Sequence, residues 1–97
     1  MPVYVGLFNF TEGGLRAIRE SPARTKEVVH LLEDQGFEIH NVYYTMGQFD
    51  LVCVIESPDE DSHVRAMLAL NQQGFFRTST MKGFTVDEFA QIVENSP

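Results

Sequence analysis

The sequence is poor in cysteine and in basic residues, and each shortage excludes a class of protein. Cys53 is the only cysteine, so no intramolecular disulfide can form and a Cys-x-x-Cys metal carrier is excluded. Lys and Arg number 7 against 14 Asp and Glu, which gives a formal net charge of -7. Because a surface that binds phosphates needs a surplus of positive charge, neither nucleic acid nor an anionic membrane is expected as a partner.

Long apolar runs are also missing. No stretch approaches the roughly 20 apolar residues of a membrane-spanning helix. No basic segment at the start leads into an apolar, cleavable one, so a cytoplasmic location is expected. The chain has 97 residues, which is enough for one domain. Its composition, 43% hydrophobic and 22% charged, is typical of a folded globular protein.

Four segments rich in aromatic and β-branched residues predict β-strands. They are Tyr4–Phe10, Phe37–Thr45, Phe49–Glu56 and Phe75–Phe84. The short Met46-Gly47-Gln48 turn joins the second and third strands into an antiparallel hairpin.

Apolar residues at helical spacing predict helices between these strands. A short helical segment around Leu15 and Ile18 precedes a helix that Ser21 caps and Gly36 ends. A second long helix opens at Ser57-Pro58-Asp59 and ends at Gly74, and a capping box starts a short C-terminal helix at Thr85. The predicted buried face of the second helix comprises Val64, Met67, Leu68 and Leu70.

The order β-α-β-β-α-β plus a C-terminal helix predicts a ferredoxin-like fold of the α+β class. Right-handed crossovers would place both long helices on one face of a four-stranded antiparallel sheet. The first and third strands, however, carry apolar side chains on both faces, whereas a half-exposed sheet should alternate apolar and polar residues. We therefore expect a second copy of the chain to cover the other face. The alternative is that the C-terminal helix folds back across its own sheet.

The hairpin segment Tyr43–Asp59, YYTMGQFDLVCVIESPD, resembles the GYD domain family, which is named for a Gly-Tyr-Asp signature. Further matches are NFTEGGLR, RESPAR and RTSTMKGFT, in family order. Phe49 stands where the family has tyrosine, so no role of that phenol applies here. The resemblance implies one GYD-like domain over residues 1–97 and a dimeric α/β barrel made of two ferredoxin-like sheets. It implies no specific activity, because the family lacks an established common function.

Three polar residues near the hairpin are candidates for a site. Asp50 is a ligand contact or general base, or else an acceptor that locks the turn near Gly47. His40 and Tyr44 share one face under strict strand alternation and would suit acid–base chemistry. The alternative places an edge-strand histidine and an interfacial tyrosine there. The histidines have no metal-ligand spacing, so no metal site is expected. No cofactor is expected either.

A second candidate site is basic. Four of the seven basic residues lie within positions 16 to 26, and Arg77 begins the fourth strand. Together Asn9, Arg16, Arg24 and Arg77 could hold a small carboxylate or phosphate, since guanidinium groups bind planar anions bidentately. Alternatively, the bases at positions 16 to 26 form a solvated helix face paired with Glu12, Glu20 and Glu27. The four candidate residues could equally serve the subunit interface.

Two functions remain open from the sequence. The leading hypothesis is a self-associating, non-enzymatic domain that binds a small polar or anionic metabolite between sheet and helices. The other is a cofactor-independent enzyme of the dimeric α/β-barrel type, monooxygenase- or isomerase-like, that uses His40, Tyr44 or Asp50. The enzyme requires two of these groups within hydrogen-bond reach in one pocket.

Overall fold

A computed structural model describes all 97 residues. Its strands are β1 (Val3–Phe10), β2 (Glu38–Tyr44), β3 (Leu51–Glu56) and β4 (Phe76–Gly83). Its α-helices are α1 (Glu12–Arg16), α2 (Ser21–Asp34), α3 (Glu60–Gln73) and α4 (Val86–Glu94), with a 3₁₀ turn at Ile18–Glu20.

The strands form one antiparallel sheet in the order β2-β3-β1-β4, which confirms the predicted ferredoxin-like fold. Strand alternation turns every second residue of β1 and β3 toward helices α2 and α3, and the core lies between them. Its two clusters are Tyr4, Leu32, Phe37 and Ile55, and Phe8, Leu51, Cys53 and Met67. Cys53 is a buried core residue as expected, and burial raises the pKa of its thiol to about 11.

Most predicted helix ends are where the capping residues place them. Asp59 accepts a hydrogen bond from the Ser62 amide at the start of α3, and Gly74 ends that helix with a φ of 81°. Thr85 begins α4 through the expected capping box. Ser21 is different, because it is the first residue of α2 and Glu20, at the end of the 3₁₀ turn, occupies the N-cap position without a side-chain hydrogen bond. Its buried hydroxyl instead bonds to Tyr44.

The buried face of α3 is displaced from the predicted one. Val64 and Leu68 are 51% and 56% exposed, whereas His63 and Met67 are buried. The buried stripe therefore follows His63, Met67 and the half-buried Leu70 at helical spacing, and it includes a histidine that apolar pattern alone does not select.

Helix α4 does not cover the sheet, so the alternative in which it folds back is wrong. Every residue from Thr85 to Pro97 is exposed. Its apolar stripe includes Val86, Phe89 and Ile92, which are 86%, 56% and 47% exposed. The chain is correspondingly elongated, measuring 51 × 31 × 20 Å. None of its helices combines the length and apolarity needed to cross a bilayer.

Candidate functional sites

The sheet face turned away from α2 and α3 is the first candidate site, and we call it the open face. Its centre is apolar, because register places Val5 opposite Val54 and Leu7 opposite Val52. These four side chains are only half-buried. At the two edges of the sheet, Tyr43 is 62% and Met81 52% exposed. Nothing within the chain covers this surface.

One corner of the open face is acidic and contains His40. A β-bulge between Ile39 and Asn41 interrupts alternation in β2, and the His40 Nε2 lies 2.8 Å from Glu56 Oε2. The hydrogen bond to His40 lowers the pKa of Glu56, while a hydrogen bond to Glu56 raises the pKa of Glu38. Ligand atoms of these three residues lie within 4.8 Å of one another, a spacing that a cation could use. The hydrogen bond between His40 and Glu56 holds two of the three residues together without one.

The opposite corner of the open face is basic. Asn9 and Arg77 are register partners where β1 meets β4, at the strand ends farthest from Glu38 and Glu56. Arg77 forms no ion pair within the chain. The open face therefore has an apolar centre with opposite charges at diagonal corners.

Tyr44 and Asp50 have structural contacts on other parts of the sheet. The Tyr44 hydroxyl lies 2.8 Å from the hydroxyls of Ser21 and Thr25, which ties β2 to the start of α2. The Asp50 carboxylate accepts a 2.9 Å hydrogen bond from the Phe10 amide. Asp50 is thus a backbone acceptor as the structural alternative had it, but it locks β1 rather than the turn near Gly47.

The bulge also separates His40 from Tyr44. Because two consecutive residues of β2 oppose one of β3, His40 joins the open face while Tyr44 points toward α2. His40, Tyr44 and Asp50 have no hydrogen bond to one another. The arrangement that the enzyme hypothesis requires, two of these groups within hydrogen-bond reach in one pocket, is therefore not formed by His40, Tyr44 and Asp50.

The four predicted anion-binding residues do not converge either. Asn9 and Arg77 lie on the open face, and Arg16 pairs with Glu12 on exposed α1. Arg24 donates to the Ala17 carbonyl, and its guanidinium lies 3.9 Å from the Phe75 ring centroid. Helix α2 carries Arg24 to the helical side of the sheet, so strand pairing cannot bring it to Arg77.

Arg24 lies at a small cavity between the sheet, α2 and α3. The cavity has a volume of about 70 Å³, and 13 of its 16 lining residues are hydrophobic. A polar or anionic metabolite would leave most of its hydrogen-bonding groups unpaired there. This cavity therefore does not fit the expected ligand chemistry.

A third candidate site, which the sequence analysis missed, lies between α3 and β4. Ser57 and His63 are buried, and the Ser57 hydroxyl lies 2.8 Å from His63 Nδ1. The Tyr4 ring stacks on the His63 ring with centroids 3.9 Å apart. Burial lowers the pKa of His63, so its imidazole is neutral near pH 7. The spacing of His63 from Met67, four residues along one helix face, was the available signal.

Tyr4 is the second polar group of this site. Its hydroxyl is buried and has no hydrogen-bond partner. Burial, together with the carboxylates of Glu60 and Asp59, raises the pKa of Tyr4, so the phenol stays protonated. Above Tyr4 and His63 is a depression of about 340 Å³ between α3 and β4.

The fold and the hairpin sequence together define a small ferredoxin-like domain of the GYD type. Residues 4–93 match the sequence profile of the GYD domain, and the chain belongs to the GYD domain family. One relative is the "Glutamine synthetase and cystathionine beta-lyase binding protein" of Thermus thermophilus. It is 34% identical over 87 residues, which are 89% of this chain and 92% of the relative. No solved structure matches the chain.

Proposed function

We propose that this chain is a non-catalytic domain that self-associates through its open face and binds other proteins. The observation that carries the proposal is the uncovered apolar centre formed by Val5, Leu7, Val52 and Val54. Soluble proteins rarely leave such a continuous apolar surface in water. A chain of 97 residues also has a small core of its own, and a second copy would enlarge it.

Charge favours a second copy of the chain as the occupant of this face. Glu38 and Glu56 mark one corner and Arg77 the diagonal one. A twofold axis that runs between two facing sheets, perpendicular to this diagonal, exchanges the two corners. Each acidic corner then meets the partner's basic corner, twice per dimer, around a shared apolar centre. The strands of the two sheets would cross steeply, as in orthogonal sheet packing.

Charge exchange tests this arrangement by light scattering behind a sizing column. The unaltered chain should show at least twice the 11.0 kDa chain mass at micromolar concentration. Arg77→Glu should weaken association because it would face the acidic pair Glu38 and Glu56 across the twofold axis, and Glu38→Arg should weaken it because it would face Arg77. The double variant should restore part of the association, since Glu56 keeps its charge. Arg19→Glu, an equal change of charge on the 3₁₀ turn, is the matched control. A monomeric unaltered chain would contradict the proposal.

Protein binding is supported by the relative, which is named for binding two enzymes. In this chain, α4 provides a suitable surface, because Val86, Phe89 and Ile92 are exposed on a helix that its own domain leaves uncovered. Asp87 and Glu88 lie beside them. An amphipathic helix of this kind fits an apolar groove with a basic rim on a partner enzyme.

The binding assay uses the glutamine synthetase of the chain's own organism, mixed with the purified chain. The complex should elute ahead of either protein, and Phe89→Asp should abolish it while the mass of the chain alone stays unchanged. Gln91→Asp, which adds the same charge off the apolar stripe, is the control. Unchanged binding by Phe89→Asp would remove α4 from the proposal. If Phe89→Asp alone instead showed half the mass of the unaltered assembly, α4 would belong to self-association.

A further inference from the structure

We propose that the depression between α3 and β4 binds a small zwitterion carrying an ammonium and a carboxylate group, the chemistry of an α-amino acid. This site lies on the helical side of the sheet, so it goes beyond the proposed function. None of the site residues predicted from the sequence contributes to it.

The Tyr4 hydroxyl is the observation that indicates a ligand. Tyr4 is only 5% exposed, lines the depression, and leaves its hydroxyl without a hydrogen-bond partner. A buried polar group without a partner is unfavourable, and such groups in folded proteins call for an explanation. Its neighbour His63 is held at Nδ1 by Ser57, while Nε2 lies 3.5 Å from the Thr80 hydroxyl, at the weak limit of a hydrogen bond. Two hydrogen-bonding groups thus remain undersatisfied at the base of one depression.

The walls above these groups carry opposite charges. Glu60 lies on the first turn of α3, and Lys82 lies on β4, where it is the register partner of Tyr4. Neither forms an ion pair within the chain, so they do not neutralise each other across the gap. An ammonium group on the α3 side and a carboxylate on the β4 side would complement both charges. A ligand with a single charge would leave one wall unpaired.

The remaining wall is apolar and sets a preference for the ligand's side chain. Val64 and Leu68 face the depression from α3 with about half of their surfaces exposed, and Met67 lies deeper. An apolar ligand side chain would cover these residues. Leucine, methionine and phenylalanine should therefore bind more tightly than glycine or aspartate. The Tyr4 hydroxyl is itself covered, so a ligand that bonds to it must displace a neighbouring side chain.

Thermal-shift and calorimetric titration of the purified chain with the L-amino acids test the proposal. We expect the apolar amino acids to raise Tm. Two analogues of each, the amine that lacks the carboxylate and the acid that lacks the ammonium group, should bind at least about tenfold more weakly. Lys82→Gln and Glu60→Gln should each weaken binding by about tenfold or more. Lys26→Gln and Glu27→Gln, the same changes on α2, are the controls. Absence of any amino-acid-dependent shift, or equal binding of the singly charged analogues, would overturn the proposal.

Tyr4→Phe separates a ligand-binding hydroxyl from a structural one. Without ligand, the variant should be at least as stable as the unaltered chain and gain up to about 4 °C in Tm, because an unsatisfied buried polar atom is removed. Its amino-acid-dependent shift should be lost. A variant that is several degrees less stable without ligand would show that the hydroxyl already has a structural partner, and that result would refute the proposal.

Discussion

The two adjacent glycines of α1 look equivalent in the sequence but should respond oppositely to alanine. A Cβ on Gly14 would overlap the carbonyl oxygen of Phe75 and lie 3.0 Å from its carbonyl carbon. These are backbone atoms that cannot rotate away. A Cβ on Gly13 would have its nearest neighbour at 3.5 Å, which is ordinary contact. The pair therefore isolates the close approach of α1 to the start of β4.

The expected magnitude follows from what must move. Relieving the overlap displaces α1 from Phe75 and breaks the 3.1 Å hydrogen bond from the Thr11 amide to the Phe75 carbonyl, together with the bond from the Thr11 hydroxyl to Gly74. Two lost hydrogen bonds and the overpacking cost about 3–5 kcal/mol. Alanine returns about 1 kcal/mol of helix propensity. Gly14→Ala should thus lower the free energy of unfolding by about 2–4 kcal/mol, while Gly13→Ala should raise it by about 0.5–1 kcal/mol.

Urea denaturation followed by circular dichroism measures both changes at one fixed protein concentration, which keeps any association constant. In thermal unfolding of the same two variants, the Tm values should differ by roughly 10 °C or more. If Gly14→Ala proves as stable as Gly13→Ala, then α1 does not pack against Phe75 as described, and the junction that leads into β4 has another geometry.

Three further changes test other contacts. Tyr44→Phe should lower the free energy of unfolding by about 1–2 kcal/mol in urea, because two hydroxyls at the start of α2 lose their partner. Asp50→Ala should cost about 1–3 kcal/mol by removing the acceptor for the Phe10 amide, while Asp50→Asn, which keeps an acceptor oxygen, should cost less. Burial lowers the pKa of His63 below 6.5, so the unfolded chain binds that proton more readily. The stability that neutral His63 contributes should be complete above pH 6.5 and be lost as pH falls through the folded pKa. The free energy of unfolding should change by at most about 1.4 kcal/mol per pH unit in this range. His63→Gln should remove this pH dependence.

Local sequence signals predicted the elements of the fold because capping and turn chemistry act over a few residues. Asp59, Gly74 and the Thr85 capping box each end or begin a helix where expected. The β-bulge at His40 was not predictable, because an extra residue in β2 is visible only against its register partner in β3. That one residue decided whether His40 would join Tyr44 or Glu56.

The α3–β4 depression was hidden from the sequence for a different reason. Tyr4, Ser57, His63 and Lys82 come from four separate parts of the chain, and only strand pairing and helix packing bring them together. Tyr4 reads as an ordinary apolar strand residue, and its unpartnered hydroxyl is a property of the folded core. The four-residue spacing of His63 from Met67 was the signal that the sequence offered.

The two proposals use opposite faces of the same sheet, and β1 alternation keeps them apart. Tyr4 points toward α3, whereas Val5 points toward the open face. Filling the depression therefore leaves the apolar centre of the open face unchanged, and charge exchange at Arg77 leaves the depression unchanged. It follows that Tyr4→Phe should form an assembly of the same mass as the unaltered chain does. Arg77→Glu should bind amino acids with the same affinity as the unaltered chain. A variant that changed both properties would mean that the two surfaces are coupled through β1, and that the separation derived from strand alternation is wrong.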